Sequence, residues 1–339
     1  MLFKAREGDF VETFESLIFD VKGLIHPPNR IIAFLRYFPD EKGERKRNSK
    51  RYRKVYSLSK RYALLEERFS QYLHYNSIFD ETLGEVSVDA VKKHYKPAEK
   101  LRELRSSNSL DKLENLALQL AKLVKETANI PWNAIGISGS IMVRLHTPSS
   151  DIDPIVYGSE NCRKVHSALK SLLSEKNDPL KPYTQKDLKV LFGFRSKDTL
   201  MSFEDFVLSE SRKALQGKFL HRDYFIRFVK DWSEVDENYG DIRYVNVGYA
   251  RVEATVVDDS ESIFTPCVYR VSDVRVLEGP QIESVEEIAS FRGRFCEQAR
   301  IGEVVIAQGK VEHVLDARQN REYFRLLLGN KPSDHMILA

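Results

Sequence analysis

The chain has 339 residues, of which 42% are hydrophobic and 30% charged, with a net charge of +3. This composition is typical of a globular protein, and the length exceeds one typical domain of roughly 100–200 residues. No apolar run reaches the length of about 18 residues that a transmembrane helix needs, and the N-terminus lacks the pattern of a signal peptide. The three cysteines are far apart in the sequence. They therefore indicate neither a zinc ribbon nor a disulfide framework, and we expect a cytoplasmic protein without membrane partners.

The first part of the chain, residues 1–105, is predicted to form an α+β domain. Residues 17–21 and 31–37 have the composition of strands, and the turn His26-Pro27-Pro28-Asn29 separates them. Residues 61–72 are predicted to be helical. We interpret His26, which precedes two prolines, as a structural residue.

A basic run occupies residues 42–61, where ten lysines and arginines surround a single acid, Glu44. Tyr52 and Tyr56 lie among these cations. One interpretation is a surface that contacts a polyphosphate backbone. The other is a solvated loop and helix face.

Helices and strands alternate in the middle of the chain. Residues 111–129 form a predicted amphipathic helix with Asp111 and Glu114 as its N-terminal cap, and a second helix covers 161–173. Strands are predicted at 132–138 and 152–157, with a short helix or turn at 141–146. This alternation indicates an α/β arrangement.

Later segments are predicted from shorter signals. Ser202 is expected to cap a helix that ends near Gly217. Strands follow at 224–229, 243–247, 250–257 and 264–271. In the tail, strands at 303–307 and 310–315 are joined by a predicted hairpin turn at Gln308-Gly309, and a helix or strand covers 323–328. The predicted domains are therefore 1–105, 106–278 and a small β-rich domain at 279–339.

One motif carries chemistry: Ser138-Gly139-Ser140, followed after ten residues by Asp151-Ile152-Asp153. Side chains alternate along a strand, so Asp151 and Asp153 are expected to point the same way. Mg²⁺ prefers oxygen ligands, and a pair of such ions can clamp the oxygens of a phosphoryl transfer. The pattern therefore predicts a site for two Mg²⁺ ions.

The residues before the acidic pair suit a phosphate. Gly139 allows the backbone to approach a ligand closely, and Ser140 adds a hydroxyl. At a strand-to-helix turn they would present N–H groups to a triphosphate. Arg144 and His146 follow and are expected to meet further negative charge.

This motif resembles the signature of the DNA polymerase beta-like nucleotidyltransferases, in which Gly-Ser precedes Asp-hydrophobic-Asp by about nine to thirteen residues. Val156 and Gly158 continue the similarity. The resemblance implies an α/β (α+β) catalytic palm with a mixed sheet, covering roughly residues 111–259. It also implies that Gly139 and Ser140 bind an NTP and that Asp151 and Asp153 hold Mg²⁺. The whole chain is similar to a group of predicted archaeal nucleotidyltransferases, in residues 13–24, in His26-Pro27-Pro28 and in residues 264–267.

The resemblance further implies a third carboxylate on a later strand, which orients or deprotonates the attacking hydroxyl. We predict Glu253, because its face is opposite to that of Val252 and Ala254, with Asp258 and Asp259 as runners-up. Pro154 departs from the family pattern, since proline removes a sheet donor, and only a strand end or an edge would tolerate it.

Two further segments have alternatives left open. His221-Arg222-Asp223 is either a substrate contact or a loop salt bridge. Arg292 and Arg294, which lie between Phe291 and Phe295, form either a surface that stacks on RNA or a solvated strand.

The sequence thus predicts a Mg²⁺-dependent enzyme that moves an NMP from an NTP onto an acceptor hydroxyl and releases pyrophosphate. RNA is the favoured acceptor, with a protein hydroxyl or a small molecule as alternatives. A non-catalytic nucleotide- or RNA-binding module on the same fold is the rival hypothesis, and a third carboxylate near Asp151 and Asp153 distinguishes the two. An antitoxin-like partner is a third, which the length disfavours. Sequence does not give the oligomeric state.

Overall fold

The computed structural model describes residues 3–175 and 179–339 and has a mixed α+β fold. Its helices are α1 Leu58–Arg68, α2 Pro97–Ser106, α3 Lys112–Thr127, α4 Gly139–Met142, α5 Ser159–Ser174, α6 Gln185–Arg195 and α7 Phe203–Glu210. Its strands are β1 Phe10–Thr13, β2 Ile18–Val21, β3 Arg30–Pro39, β4 Arg45–Arg47, β5 Lys50–Lys54, β6 Leu73–Asn76, β7 Glu81–Ser87, β8 Val91–Tyr95, β9 Ile135–Ile137, β10 Pro154–Tyr157, β11 Leu180–Lys181, β12 Gln216–Phe219, β13 Arg222–Phe225, β14 Arg227–Val229, β15 Ile242–Asp258, β16 Cys267–Glu278, β17 Val285–Ser290, β18 Val304–Asp316, β19 Arg321–Leu327 and β20 His335–Leu338.

The chain folds into two compact units, each built from three separate stretches. The first unit contains Met1–Leu73, Gly84–Pro182 and Ala214–Asp236, and the second contains His74–Leu83, Tyr183–Lys213 and Glu237–Ala339. The three contiguous domains predicted from the sequence therefore differ from this division. The predicted boundary at residue 279 falls between β16 and β17, which pair with each other in one sheet.

The N-terminal sheet of the first unit has the strand order β4-β5-β3-β2-β1-β8, with β7 also paired to β3. Its core face is apolar because alternate residues of β3 are buried together with β1, β2 and α1. The buried residues of this core include Val11, Phe19, Val21, Ala33, Leu35 and Leu65. The predicted strands at 17–21 and 31–37 are confirmed, and the predicted helix corresponds to α1 followed by a turn of 3₁₀-helix, Ser70–Tyr72.

The second sheet of the first unit has the order β14-β10-β9, with β10 parallel to β14 and antiparallel to β9. The helix α3 packs against β9 and α5, while α5 packs against β10 and β14. Asp111 caps α3 through a capping box with Glu114, as predicted. Pro154 is the first residue of β10, where the strand can begin without its N–H.

The second unit contains a closed barrel. Its strands follow one another in the order β15-β16-β17-β19-β18, and β18 pairs back onto β15. The β17–β19 pair is parallel and the other pairs are antiparallel. The barrel strands include long, apolar segments whose inward residues Val252, Ala254, Val305 and Ala307 are buried.

Several predicted elements of the second unit are wrong. Gln308 and Gly309 lie inside the continuous strand β18, because Gly309 pairs with Ala250 and provides room for the carbonyl of Leu327. The segments predicted at 243–247 and 250–257 are one strand, β15, with a register shift between Asn246 and Gly248. Ser202 does cap α7, but that helix ends at Glu210 rather than near Gly217. Within the described part of the chain, no helix is long and apolar enough to cross a membrane.

Candidate functional site

The acidic pair lies at the start of the central strand of the second sheet. Ile152 forms a parallel bridge with Tyr224, and both of these side chains are buried. Because side chains alternate along extended backbone, Asp151 and Asp153 lie on the opposite side from Ile152, where both are partly exposed. The two carboxylates are therefore on one face, at the end of β10 where the chain enters the sheet.

The glycine turn touches this pair directly. Gly139 has a φ of +63°, and a Cβ atom at this position would lie 1.9 Å from Oδ2 of Asp153. The backbone N–H of Ser138 donates to the Asp153 carbonyl at 2.9 Å. The hydroxyl of Ser140 is buried and has no hydrogen-bond partner among the described residues. The two halves of the motif thus form one compact group, with a polar atom available to a ligand.

Arginines of the basic run hold the segment between the two halves of the motif. Arg45 donates from Nη1 to the Leu145 carbonyl at 2.7 Å and to the Ser150 hydroxyl at 3.3 Å. Arg47 donates to the Val143 carbonyl at 3.2 Å and pairs with Glu12 at 2.7 Å. These two members of the run are therefore structural, which neither interpretation of the run anticipated.

Three cations act on the acidic pair. Burial, followed by the charge of Asp151, raises the pKa of Asp153 to about 7, against the opposing effect of Lys54, Arg227 and Arg36. Burial and the neighbouring Arg36 lower the pKa of Lys54 to about 8, although Asp151 and Asp153 oppose this shift. Lys54 is a member of the basic run that acts electrostatically on the acidic pair, whereas Arg36 and Arg227 lie outside that run and were missed.

The predicted third carboxylate, Glu253, has an ion-pair partner of its own. Glu253 lies on β15 of the second unit, and both of its carboxylate oxygens accept from Arg275 at 2.9 Å. Its outward orientation was predicted correctly, since Val252 and Ala254 are buried. The sequence pattern identified the face of the strand but not the unit to which the strand belongs.

Strand register identifies a different acid, Asp223. Ile152 donates to the Asp223 carbonyl at 2.9 Å and accepts from Phe225 at 3.1 Å, which pairs Ile152 with Tyr224. Asp223 is therefore beside Asp151 on the neighbouring strand, on the same face, at the interstrand spacing of about 4.8 Å. Its carboxylate pairs with Lys218 at 2.8 Å. From the sequence, Asp223 was interpreted as part of either a substrate contact or a loop salt bridge, and it was not identified as the third carboxylate.

Other predicted residues have different partners. Arg144 pairs with Glu103 of α2 at 2.6 Å. His146 contacts Asp111 at 2.6 Å and, with Glu114, completes a group with metal-ligand spacing. The two acids of that group already form the capping box of α3, which accounts for their proximity.

Arg292 and Arg294 are neither an RNA-stacking surface nor a solvated strand. Both pair with Asp198 in the second unit, and Arg294 also donates to Thr199. Burial, followed by repulsion from Arg292 and Arg195, lowers the pKa of Arg294 to about 9. Arg294 lies in a 3₁₀ turn, Gly293–Phe295, and Arg292 is the residue that precedes this turn.

The comparisons with known proteins give one long match. An uncharacterized protein of Methanocaldococcus jannaschii, MJ1086, is 33% identical over 335 residues, which cover 96% of this chain and 96% of that protein. No protein-family profile and no solved structure matches the chain. Because the similarity extends over nearly the whole of both sequences, the chain belongs to the family of MJ1086.

Proposed function

We propose that this protein is a Mg²⁺-dependent nucleotidyltransferase that moves an NMP from an NTP onto an acceptor hydroxyl. One observation carries the proposal: the Gly139 turn lies directly against the carboxylate of Asp153, beside Asp151 and within the influence of Lys54 and Arg36. A turn of this kind leaves no room for a side chain between the backbone and the acidic pair. The same proximity would bring a triphosphate on the turn next to ions on the carboxylates.

The acidic pair fits a divalent cation. Two carboxylates on one face repel each other, and the raised pKa of Asp153 is the sign of that repulsion and of burial. Bound Mg²⁺ would supply charge stabilisation for the transferring phosphoryl group. Asp151 and Asp153 are the residues that would hold the ions, and the unpartnered hydroxyl of Ser140 is a donor for a phosphate oxygen.

The cations and the third acid complete the proposed roles. Three cations offset the negative charge of the triphosphate and orient it for in-line attack, namely Lys54, Arg36 and Arg227. Asp223, beside Asp151, accepts the proton of the attacking hydroxyl once Lys218 is displaced from it. Attack on the α-phosphorus breaks its bond to the bridging oxygen of the β-phosphate, and pyrophosphate is the leaving group.

An RNA acceptor is supported by the barrel of the second unit. Its five strands are connected in the order first, second, third, fifth, fourth, and then back to the first. That is the strand order of the OB-fold, a class of barrel that binds oligonucleotides and oligosaccharides. This support is an analogy of fold. We place the reaction in the cytoplasm, since the three cysteines are free and buried.

The decisive experiment incubates the protein with each α-labelled NTP, Mg²⁺ and total cellular RNA. Transfer of label to RNA is expected for the unmodified protein. Asp151→Asn and Asp153→Asn should each reduce the rate by about 10²–10³-fold, because each removes a charge that holds the ions. Glu85→Gln, which changes a buried acid of the same unit that pairs with Arg30, serves as the control for folding.

The outcomes separate the hypotheses. Label in protein or in a small molecule instead of RNA keeps the enzyme and replaces the acceptor. NTP binding that depends on Asp151 and Asp153, without transfer to any acceptor, would favour the non-catalytic binding module. Transfer that survives both substitutions would contradict the proposed site.

A further inference from the structure

A group of polar and aromatic residues lies on the face of the N-terminal sheet opposite to the core of Val11, Phe19 and Ala33. Asp20 of β2 is the cross-strand neighbour of Phe34 on β3, so the two side chains share a face. Arg36 follows Phe34 by two residues and lies on the same face. Asp20 is only 5% exposed, whereas Phe34 and Arg36 are partly exposed. A buried acid, an aromatic ring and a guanidinium therefore lie together on one face, and we call this group of three side chains the recess.

Asp20 has an unused acceptor. Its Oδ2 lies 3.1 Å from Nζ of Lys22, but its Oδ1 has no hydrogen-bond partner and lies 3.7 Å from Nη1 of Arg227. Burial raises the pKa of this carboxyl, yet the surrounding cations, with Lys22 and Arg227 the strongest, hold it at about 2, so the group is ionised. Buried acceptors of this kind are nearly always hydrogen-bonded in folded proteins, so Oδ1 of Asp20 is an acceptor that a ligand donor could satisfy.

Phe34 is placed for stacking. Nζ of Lys22 lies 5.7 Å from the ring centroid and the guanidinium of Arg61 lies 5.6 Å from it. Both distances lie within the range of about 6 Å at which a cation and a ring interact. The ring is nevertheless partly exposed and can accept a planar group.

The recess adjoins the acidic pair. Arg36 and Arg227 lower the pKa of Asp20 and also oppose the rise in that of Asp153. The two guanidiniums therefore lie within electrostatic range of both acids. A ligand that reached from Asp20 to Asp153 would pass them with its most negative part.

We infer that the recess formed by Asp20, Phe34 and Arg36 binds the nucleobase of the incoming NTP. This inference rests on the proposed function. The ring of Phe34 stacks on the base, and Oδ1 of Asp20 accepts a hydrogen bond from its N–H groups. A single ionised acceptor favours bases with amino donors and disfavours uracil, whose carbonyl oxygens flank its only donor edge. Guanine presents neighbouring N1–H and N2–H₂ donors, so GTP is the expected substrate.

The test is equilibrium binding of GTP, ATP, CTP and UTP to the full chain with Mg²⁺, measured by calorimetry. GTP should bind at least about tenfold more tightly than UTP, because a buried polar group left unpaired costs this much or more. Asp20→Asn should abolish the preference for GTP. Phe34→Leu, which keeps an apolar side chain, should weaken all four nucleotides by about tenfold through loss of stacking. Glu85→Gln should match the unmodified protein.

Inorganic triphosphate distinguishes the failure of this inference from the failure of the proposed function. If triphosphate binds in an Asp151- and Asp153-dependent manner but all four nucleotides bind alike, the base site is overturned and the phosphate site stands. If neither triphosphate nor any nucleotide binds, both are overturned. A preference for GTP that persists in folded Asp20→Asn also overturns the base site, as does unchanged affinity for all four nucleotides in folded Phe34→Leu. Unchanged thermal unfolding shows that each variant is folded.

Discussion

Gly139 has no room for a side chain, because even a methyl group would clash with Asp153. The backbone has a φ of +63°, and an added Cβ would lie 1.9 Å from Oδ2 of Asp153. Glycine is the residue that tolerates both conditions. The motif identifies this glycine in the sequence. The structure shows that the atom next to it is a carboxylate oxygen of Asp153.

Gly139→Ala is therefore expected to abolish NTP binding and to lower the free energy of unfolding by about 1–3 kcal/mol, from strain and from displacement of Asp153. Urea unfolding and calorimetry with GTP measure the two effects. Gly302→Ala is a matched control, because its φ is +84° and nothing lies within 4 Å of the added Cβ. Normal NTP binding by the Gly139→Ala variant would contradict the proposed role of the turn.

His26 is held as a neutral ring. Its Nδ1 accepts from the Ile32 N–H at 3.3 Å, so Nε2 carries the hydrogen that is donated to the Ala5 carbonyl at 3.0 Å. Protonation would place a second N–H against that of Ile32. Burial lowers the pKa of His26 to about 4, with the hydrogen bond to Ala5 opposing the shift.

The free energy of unfolding should therefore decrease as the pH is lowered, because His26 becomes protonated. The folded pKa lies below the ordinary value of 6.5, so the unfolded chain takes up the proton first. The contribution is fully present above pH 6.5 and is lost as the pH falls towards 4, at a cost of roughly 3 kcal/mol. His26→Gln should flatten urea-measured stability between these pH values, whereas the exposed His221→Gln should not. An equal slope in both variants would contradict this account.

At the scale of elements, α3 agrees best with the prediction from the sequence. Asp111 accepts from the backbone N–H groups of Leu113 and Glu114, and Glu114 accepts from that of Asp111. The pattern is local, since all the partners lie within three residues. The helix could therefore be predicted from this sequence alone.

Asp111→Ala should lower the free energy of unfolding by about 1–2 kcal/mol, through loss of the cap and of the contact with His146. His146→Ala alone removes only the second of these. A double-mutant cycle in urea separates the two contributions. If His146→Ala costs as much as Asp111→Ala, the capping box is not the stabilising element.

Elements fixed by distant partners could not be predicted in this way. The register of β18 depends on β15, which lies far earlier in the chain, and Gln308-Gly309 has the composition of a hairpin turn when taken alone. The placement of candidate third carboxylates depends on distant partners in the same way. Nothing local to Glu253 shows that β15 belongs to a barrel, and nothing local to Asp223 shows that it pairs beside Asp151. The motif residues themselves are close in sequence, which is why Gly139, Ser140, Asp151 and Asp153 could be selected.

Asp223 provides the direct test of that register. Asp223→Asn should reduce nucleotide transfer by about 10²-fold or more if this carboxylate accepts the proton, with little change in NTP affinity. Glu253→Gln is the matched control and should leave transfer unchanged. If Glu253→Gln reduces transfer and Asp223→Asn does not, the third carboxylate is Glu253, as predicted from the sequence.

At the scale of the molecule, a single cut cannot separate the two units, because each consists of three stretches that alternate along the chain. Lys213 of the second unit is 6% exposed and donates to the Arg294 carbonyl at 2.6 Å and to Gln298 at 2.8 Å. Glu81 of the same unit pairs with Lys310. A cut after Asp236 would remove these partners of Lys213 and Glu81 while leaving all three stretches of the first unit in place.

A fragment that ends at residue 236 should therefore keep slow amide exchange in β10 and α5 but lose it in α6 and α7. Buried charges without partners cost several kcal/mol, which exceeds what two short helices contribute alone. Hydrogen-exchange mass spectrometry of the fragment beside the full chain tests this. Equal protection of α6 and α7 in both would show that these helices fold without the barrel.

The parallel pairing of β10 with β14 also sets a delay during synthesis. Tyr157 pairs with Val229, which leaves the ribosome 72 residues later. At translation rates of about 5–20 residues per second, the strand that carries the acidic pair waits roughly 4–14 s for its neighbour. During that interval β9 can pair with one edge of β10, and the other edge, which later pairs with β14, has no partner. The strand next to the proposed site is therefore exposed in the nascent chain, and a chaperone would bind there.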